Sequence, residues 1–334
     1  MSASMPRAAG SRRKRDLAWA VVVGCVAASV WIPEVALAAL AAAVWPLAQA
    51  SRSVRGTSLG GALAWGWVLV ALGSAGQFVA LLEPIDGGRP WCGHLTYLMV
   101  IAALASQISI LNARTPGAGA WALLTALLFV VFMIPWLQAP TLARHAGGLE
   151  RLRLDAPWSI FYGLLVLAAV TNHLPTRYGP AALLTGGAYV LEFLGLTHHE
   201  WTPVRLGHLW SVVTTLLAGA VVAAGAVESV DDDDGAPRYS LDRVWQWFRD
   251  RWGVVWALRV RDRFNRGAEV GRASFRLGWN GLESTSDAPL ELDPAADAEA
   301  TALLIGLLRR FARPERIARG AEVAEAIPPR HDKS

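Results

Sequence analysis

The chain has 334 residues, of which 54% are hydrophobic and only 17% charged, and its net charge is +4. A soluble domain is roughly 25% charged, so this composition speaks against an ordinary soluble protein, and the deficit sits in the first two-thirds. Two cysteines, Cys25 in an apolar run and Cys92 in a connecting segment, exclude a disulfide framework and a thiolate zinc site.

Residues 1–16 form a basic N-terminal tail, with the run SRRKR at 11–15. Arg15-Asp16 stands where a twin-arginine signal wants an apolar residue, and the apolar sequence simply continues beyond the ALA at 36–38. The tail therefore reads as a cytoplasmic anchor and not as a cleaved leader.

From residue 17 to 228 apolar stretches follow one another with short breaks, and tryptophans cluster near their ends. Indole is amphipathic and settles at the headgroup level of a bilayer. A spanning helix needs about 20 residues. The expected spans are 17–31, 33–49, 60–82, 94–112, 118–138, 157–172, 180–197 and 206–228. A single helix over 17–49 would place Pro33 and Glu34 near the bilayer centre, which proline geometry and the cost of a buried carboxylate both oppose. A tight hairpin puts WIPE (31–34) at the far interface instead. The expected fold is thus an all-α polytopic membrane domain of about eight transmembrane helices, the first two a short hairpin, followed by a small cytosolic α+β domain. The basic residues barely discriminate eight spans from seven, so the Glu34 argument decides. Both termini then lie in the cytoplasm, on the inner face of a bacterial inner membrane.

Residues 229–239 are an acidic linker containing Asp231 to Asp234. Without the ligand spacing of a calcium loop, the run reads as solvated linker. Residues 240–326 read as the small cytosolic domain, and 327–334 as a disordered tail. Ser240 and Asp242 suit a helix start. Leu241, Val244, Trp245, Phe248, Trp252, Val255, Trp256, Val260 and Phe264 then recur at three- and four-residue steps. Phe275, Leu277 and Trp279 alternate as in a strand, and Asn280-Gly281 is a hairpin-turn dipeptide. PLELD (289–293) suggests another strand, and Asp293-Pro294 opens a further helix.

Four features carry candidate chemistry. First, Glu192 lies within the apolar run that ends in Thr197, His198, His199 and Glu200. An intramembrane carboxylate is a functional candidate by default, although its shallow depth fits a structural carboxylate better. Second, His94, His145, His198, His199 and His208 all fall on the outer side of the eight-span topology. Neutral imidazoles there suit copper, zinc or haem iron, and His94 with His208 makes the most natural haem pair. No spacing enforces this, and loop histidines without a role are the commoner case, so no cofactor is predicted, with haem or copper as the alternative. Third, Asn172 and His173 read as ordinary helix-end chemistry. Fourth, the helix from residue 240 is rich in tryptophan and arginine. Arg243, Trp245, Trp252, Trp256, Arg259 and Arg263 suit either a membrane surface or a protein partner, and the same tryptophans suit a packed core equally well.

These features point to a non-enzymatic integral membrane protein, a subunit or scaffold of a membrane complex or a permease component. Its partners would be the lipid bilayer and a protein docked by the C-terminal domain. Anionic lipid accounts for the basic balance, with no role for nucleic acid. The alternatives are a metal- or haem-binding redox protein using the outer histidines, and an enzyme acting on a lipid-linked substrate through Glu192.

Overall fold

The computed structural model describes residues 57–59, 91–108, 155–197, 212–221, 240–286 and 292–317, together with parts of 20–39 and 123–137. Five helices organise these residues: α1 (Trp91–Ile108), α2 (Ala156–His173), α3 (Gly179–Thr197), α4 (Ser240–Val270) and α5 (Pro294–Leu308). Further helical residues lie at 126–135 and 212–221. Among the described residues there are two short strands, β1 (Phe275–Leu277) and β2 (Leu282–Ser284), paired antiparallel with Leu277 opposite Leu282.

The helices fall inside the apolar runs of the sequence, but the expected membrane domain of about eight spans is overturned. Among the described residues, no helix is long and apolar enough to cross a membrane. Helices α1, α2 and α3 have 18, 18 and 19 residues. Their ends and middles are diluted by polar groups: Asn172 and His173 close α2, and Glu192 interrupts α3. The fold is mostly helical with one small β-hairpin. The run expected to form the span 60–82 lies outside the described residues, while a turn at Trp31–Ile32 does interrupt helical residues on either side.

Helices α1, α2 and α3 share one core. Tyr97, Ile101, Leu104, Phe132, Tyr162, Val166, Tyr189 and Phe193 are buried in it. Phe132 stacks on Phe161 at 5.0 Å, and Tyr162 stacks on Phe193 at 4.3 Å. The phenols are not left unmatched at the α1 and α2 positions. Tyr97 Oη donates to the Phe132 carbonyl and Tyr162 Oη to the Tyr189 carbonyl, each at 3.1 Å. Helices α2 and α3 are joined by the short segment 174–178, in which Thr176 Oγ1 donates to the His173 carbonyl at 2.7 Å.

A second core belongs to the C-terminal unit. Leu241, Val244, Trp245, Phe248, Trp252, Trp256, Val260 and Phe264 form the inner stripe of α4, facing Leu304, Leu308 and Phe311. The three- and four-residue spacing is the reason: it puts these side chains on one face. Phe248 stacks on Trp252 at 5.0 Å, and Phe311 meets Trp256 edge-on at 5.1 Å. Asp293 caps α5 by accepting the Ala296 N–H at 2.7 Å, with Pro294 in the first turn. The β-hairpin rests on α4 through polar clasps. Asn265 pairs with Leu277 as a neighbouring strand would, and Asp242 Oδ1 accepts the Leu282 N–H at 2.7 Å. Of the expected strand at 289–293, Leu292 and Asp293 are not strand, and 289–291 lie outside the described residues.

Truncating Trp252 to Ala removes a fully buried indole and is expected to cost about 3 to 5 kcal/mol. Asp293→Ala is expected to cost about 1 kcal/mol. Denaturant unfolding of the full chain, followed by tryptophan fluorescence and circular dichroism, measures both.

Candidate functional site

Helix α4 is broken at Gly253, whose backbone has φ +77° and ψ −176°. That region of conformational space is essentially reserved for glycine. A break strands backbone groups on both sides: a carbonyl at the end of the first half and N–H groups at the start of the second. Asn172, at the end of α2, supplies both partners. Its Nδ2 donates to the Trp252 carbonyl at 3.3 Å, and its Oδ1 accepts the Val255 N–H at 3.2 Å. In an ordinary N-cap the capping side chain comes from the residue at the break itself. Here that residue is glycine, and α2 provides the cap from outside. A side chain at 253 would collide with Asn172.

Charged groups surround this joint. Asp250, buried on α4, takes Arg249 Nε at 2.9 Å and Arg177 Nε at 3.6 Å. Arg249 also donates to the Trp279 carbonyl at 2.8 Å and lies 5.1 Å from the Trp279 ring, so it ties the hairpin turn to α4. Trp245 Nε1 donates to the same carbonyl at 3.0 Å. Trp252 Nε1 donates to Ser58 Oγ at 3.2 Å, and Ser58 N–H donates to the Phe311 carbonyl at 3.0 Å. The segment 57–59 is thereby fixed to α4 and to the end of α5, with Leu59 in their shared core. His173 is half-buried as a residue, but its Nδ1 is sealed from solvent without a hydrogen-bond partner. Burial holds its pKa down at about 4, against an opposing pull from the Asp250 backbone and carboxylate.

The residues singled out from the sequence are placed as follows. Trp245, Trp252 and Trp256 are core residues, at most 4% exposed, so their indoles do not form a surface. Arg243 is half-buried. Arg259, Arg263 and Arg266 are exposed on one stripe of the second half of α4, spaced four and three residues apart. Arg259 lies 5.0 Å from the Trp256 ring, which anchors its guanidinium to the core beneath the stripe.

Glu192 is buried on α3 within the first core. Burial pushes the Tyr162 and Tyr189 phenols well up, and the Glu192 charge adds to the push on both. Neutral phenols and the Glu192 carboxyl group thus share the helix contact. His94 is in α1, while His145, His198, His199 and His208 lie outside the described residues. Among the described residues, no group of three or more His, Cys, Asp or Glu side chains is placed to hold a metal ion.

Sequence reasoning missed the joint itself. Asn172 and His173 looked like ordinary helix-end residues, and Ser58 carried no signal. The detectable clue was Gly253, an isolated glycine in an otherwise unbroken helical pattern. No family model, no curated protein and no solved structure matches the chain, and so no family or relative supports the transport role expected from the sequence.

Two substitutions test the joint. Asn172→Ala leaves a buried carbonyl and N–H unpaired and is expected to cost about 1 to 3 kcal/mol. Asn172→Asp is expected to cost at least as much, because a carboxylate has no proton to donate to the Trp252 carbonyl. Unfolding free energies of the two variants, compared with wild type, check the order.

Proposed function

We propose that the chain is a non-enzymatic scaffold subunit that docks an acidic protein partner on its C-terminal unit. The observation that carries this reading is the exposed stripe Arg259, Arg263 and Arg266 on α4. Its opposite face is occupied by the tryptophan core, so the stripe sits on a rigid support. Arginine is well suited to such a surface, because its planar fork grips carboxylates in two places at once. Arg177 and Arg249, by contrast, are engaged with Asp250 and the hairpin turn. The joint at Asn172 supports the same reading, since it fixes the C-terminal unit to α2 and keeps the stripe at a set orientation.

The test is charge reversal. Arg259→Glu, Arg263→Glu and Arg266→Glu combined are expected to weaken partner capture by at least about tenfold. Wild-type capture should itself fall with added salt, as expected of exposed charges. Crosslinking and copurification from the native source, with unfolding curves as a control for folding, provide the measurement. A wild-type chain that runs as a lone monodisperse monomer, or capture indifferent to both salt and charge reversal, overturns the proposal.

A further inference from the structure

We propose that the end of α2 is an acid-sensitive latch, in which a proton on His173 Nε2 sets the ring against the Asn172 carboxamide and loosens its hold on the broken backbone of α4. The orientation of that carboxamide is fixed by its partners. Its nitrogen faces the Trp252 carbonyl and its oxygen faces the Val255 N–H. Nδ2 also lies within hydrogen-bond distance of His173 Nε2, 3.3 Å away. A hydrogen bond there takes a lone pair on Nε2 and so the neutral ring with its proton on Nδ1, the nitrogen that is sealed from solvent without a partner. The latched state therefore needs an uncharged His173.

Adding a proton to Nε2 sets one N–H against another. A half-turn of the Asn172 amide would let Oδ1 accept from the imidazolium. The same half-turn puts an oxygen against the Trp252 carbonyl and an NH2 group against the Val255 N–H. Two conflicts would replace one, so the strain is relieved instead by withdrawal of the carboxamide from the joint, which gives up the two hydrogen bonds that cap the break at Gly253. The broken backbone of α4 then has lost both of its side-chain caps, while the Arg177–Asp250 contact beside it remains.

The charged groups facing His173 set the threshold. Asp250 on α4 favours the protonated ring, through its carboxylate and its backbone. Arg249 on α4 and Arg177 beyond the end of α2 both bind that carboxylate and blunt its pull. Burial outweighs the remainder and lowers the ring from its ordinary 6.5 to about 4. The unfolded chain takes up a proton near 6.5 while the latched chain resists until about 4. The stabilisation is thus complete above about pH 6.5 and is lost progressively as pH falls toward about 4.

Amide hydrogen exchange of the full-length chain, corrected for the intrinsic pH dependence of exchange, tests this between about pH 7 and pH 4.5. The amides at 253–256 are expected to lose protection by at least about tenfold on acidification, the size of losing one or two buried hydrogen bonds. Residues 97–104 of α1 should stay protected over the same range. In His173→Gln, which has no titrating ring, protection at 253–256 should be independent of pH. The idea is overturned by constant protection in wild type, by an equal loss in the glutamine variant, or by α1 and α4 opening together. Should the variant fail to fold, the Asn172 side-chain NH2 resonances of wild type decide: they follow the His173 titration if the latch exists, and stay fixed if it does not.

Discussion

The capping of a broken helix by a side chain from another helix is the constraint on which the C-terminal unit depends. A break in the middle of α4 exposes a carbonyl and N–H groups that cannot be left unpaired when buried. Gly253 makes the break sterically possible, and Asn172 makes it energetically tolerable. Neither residue has a reason to be there without the other. Because Asn172 belongs to α2, the local repair of α4 is also the attachment of one core to another. Trp252 reinforces that attachment from its own side chain, through Ser58 and the 57–59 segment.

The two cores solve the problem of buried polarity differently. In the α1–α3 core, the polar atoms are few and neutral at the phenols, and burial with the Glu192 charge keeps the Tyr162 and Tyr189 hydroxyls protonated. Tyr162 spends its proton on a backbone carbonyl of the neighbouring helix, so the hydroxyl sets the relative height of α2 and α3. In the C-terminal unit, polar side chains take the place of missing backbone partners. Asn265 substitutes for a strand, Asp242 for a turn, and Asn172 for a helix cap. A unit with only two three-residue strands has little sheet of its own, and these side chains hold the hairpin in register against α4.

The proposed docking role rests on this division of labour among arginines. Those near the joint are consumed in holding the hairpin and Asp250, while those past the break point outward from α4. The same break that needs Asn172 separates the two sets along the helix. A change in the protonation of His173, one residue from the cap, would therefore act on the mounting of the exposed stripe without touching the stripe itself.

Much of the scaffold was determined by the sequence itself. The apolar periodicity from Leu241 to Phe264 marks the buried face of α4, because a helix repeats its faces every three to four residues. Asn280-Gly281 places the hairpin turn and Asp293-Pro294 the start of α5, because capping and turn geometry are local. The apolar runs located α2 and α3 to within a residue or two, yet their membrane-spanning role did not follow. Apolarity specifies removal from water, and neighbouring helices cover only one face of each: Ile160, Leu164 and Leu167 on α2 and Leu183 and Val190 on α3 remain exposed. The tryptophans of α4 show the same ambiguity, settled in favour of the core. Only the tertiary structure decided the joint. The pairing of Asn172 with a break 80 residues away depends on two chain segments meeting, and nothing in either segment alone encodes the distance between them.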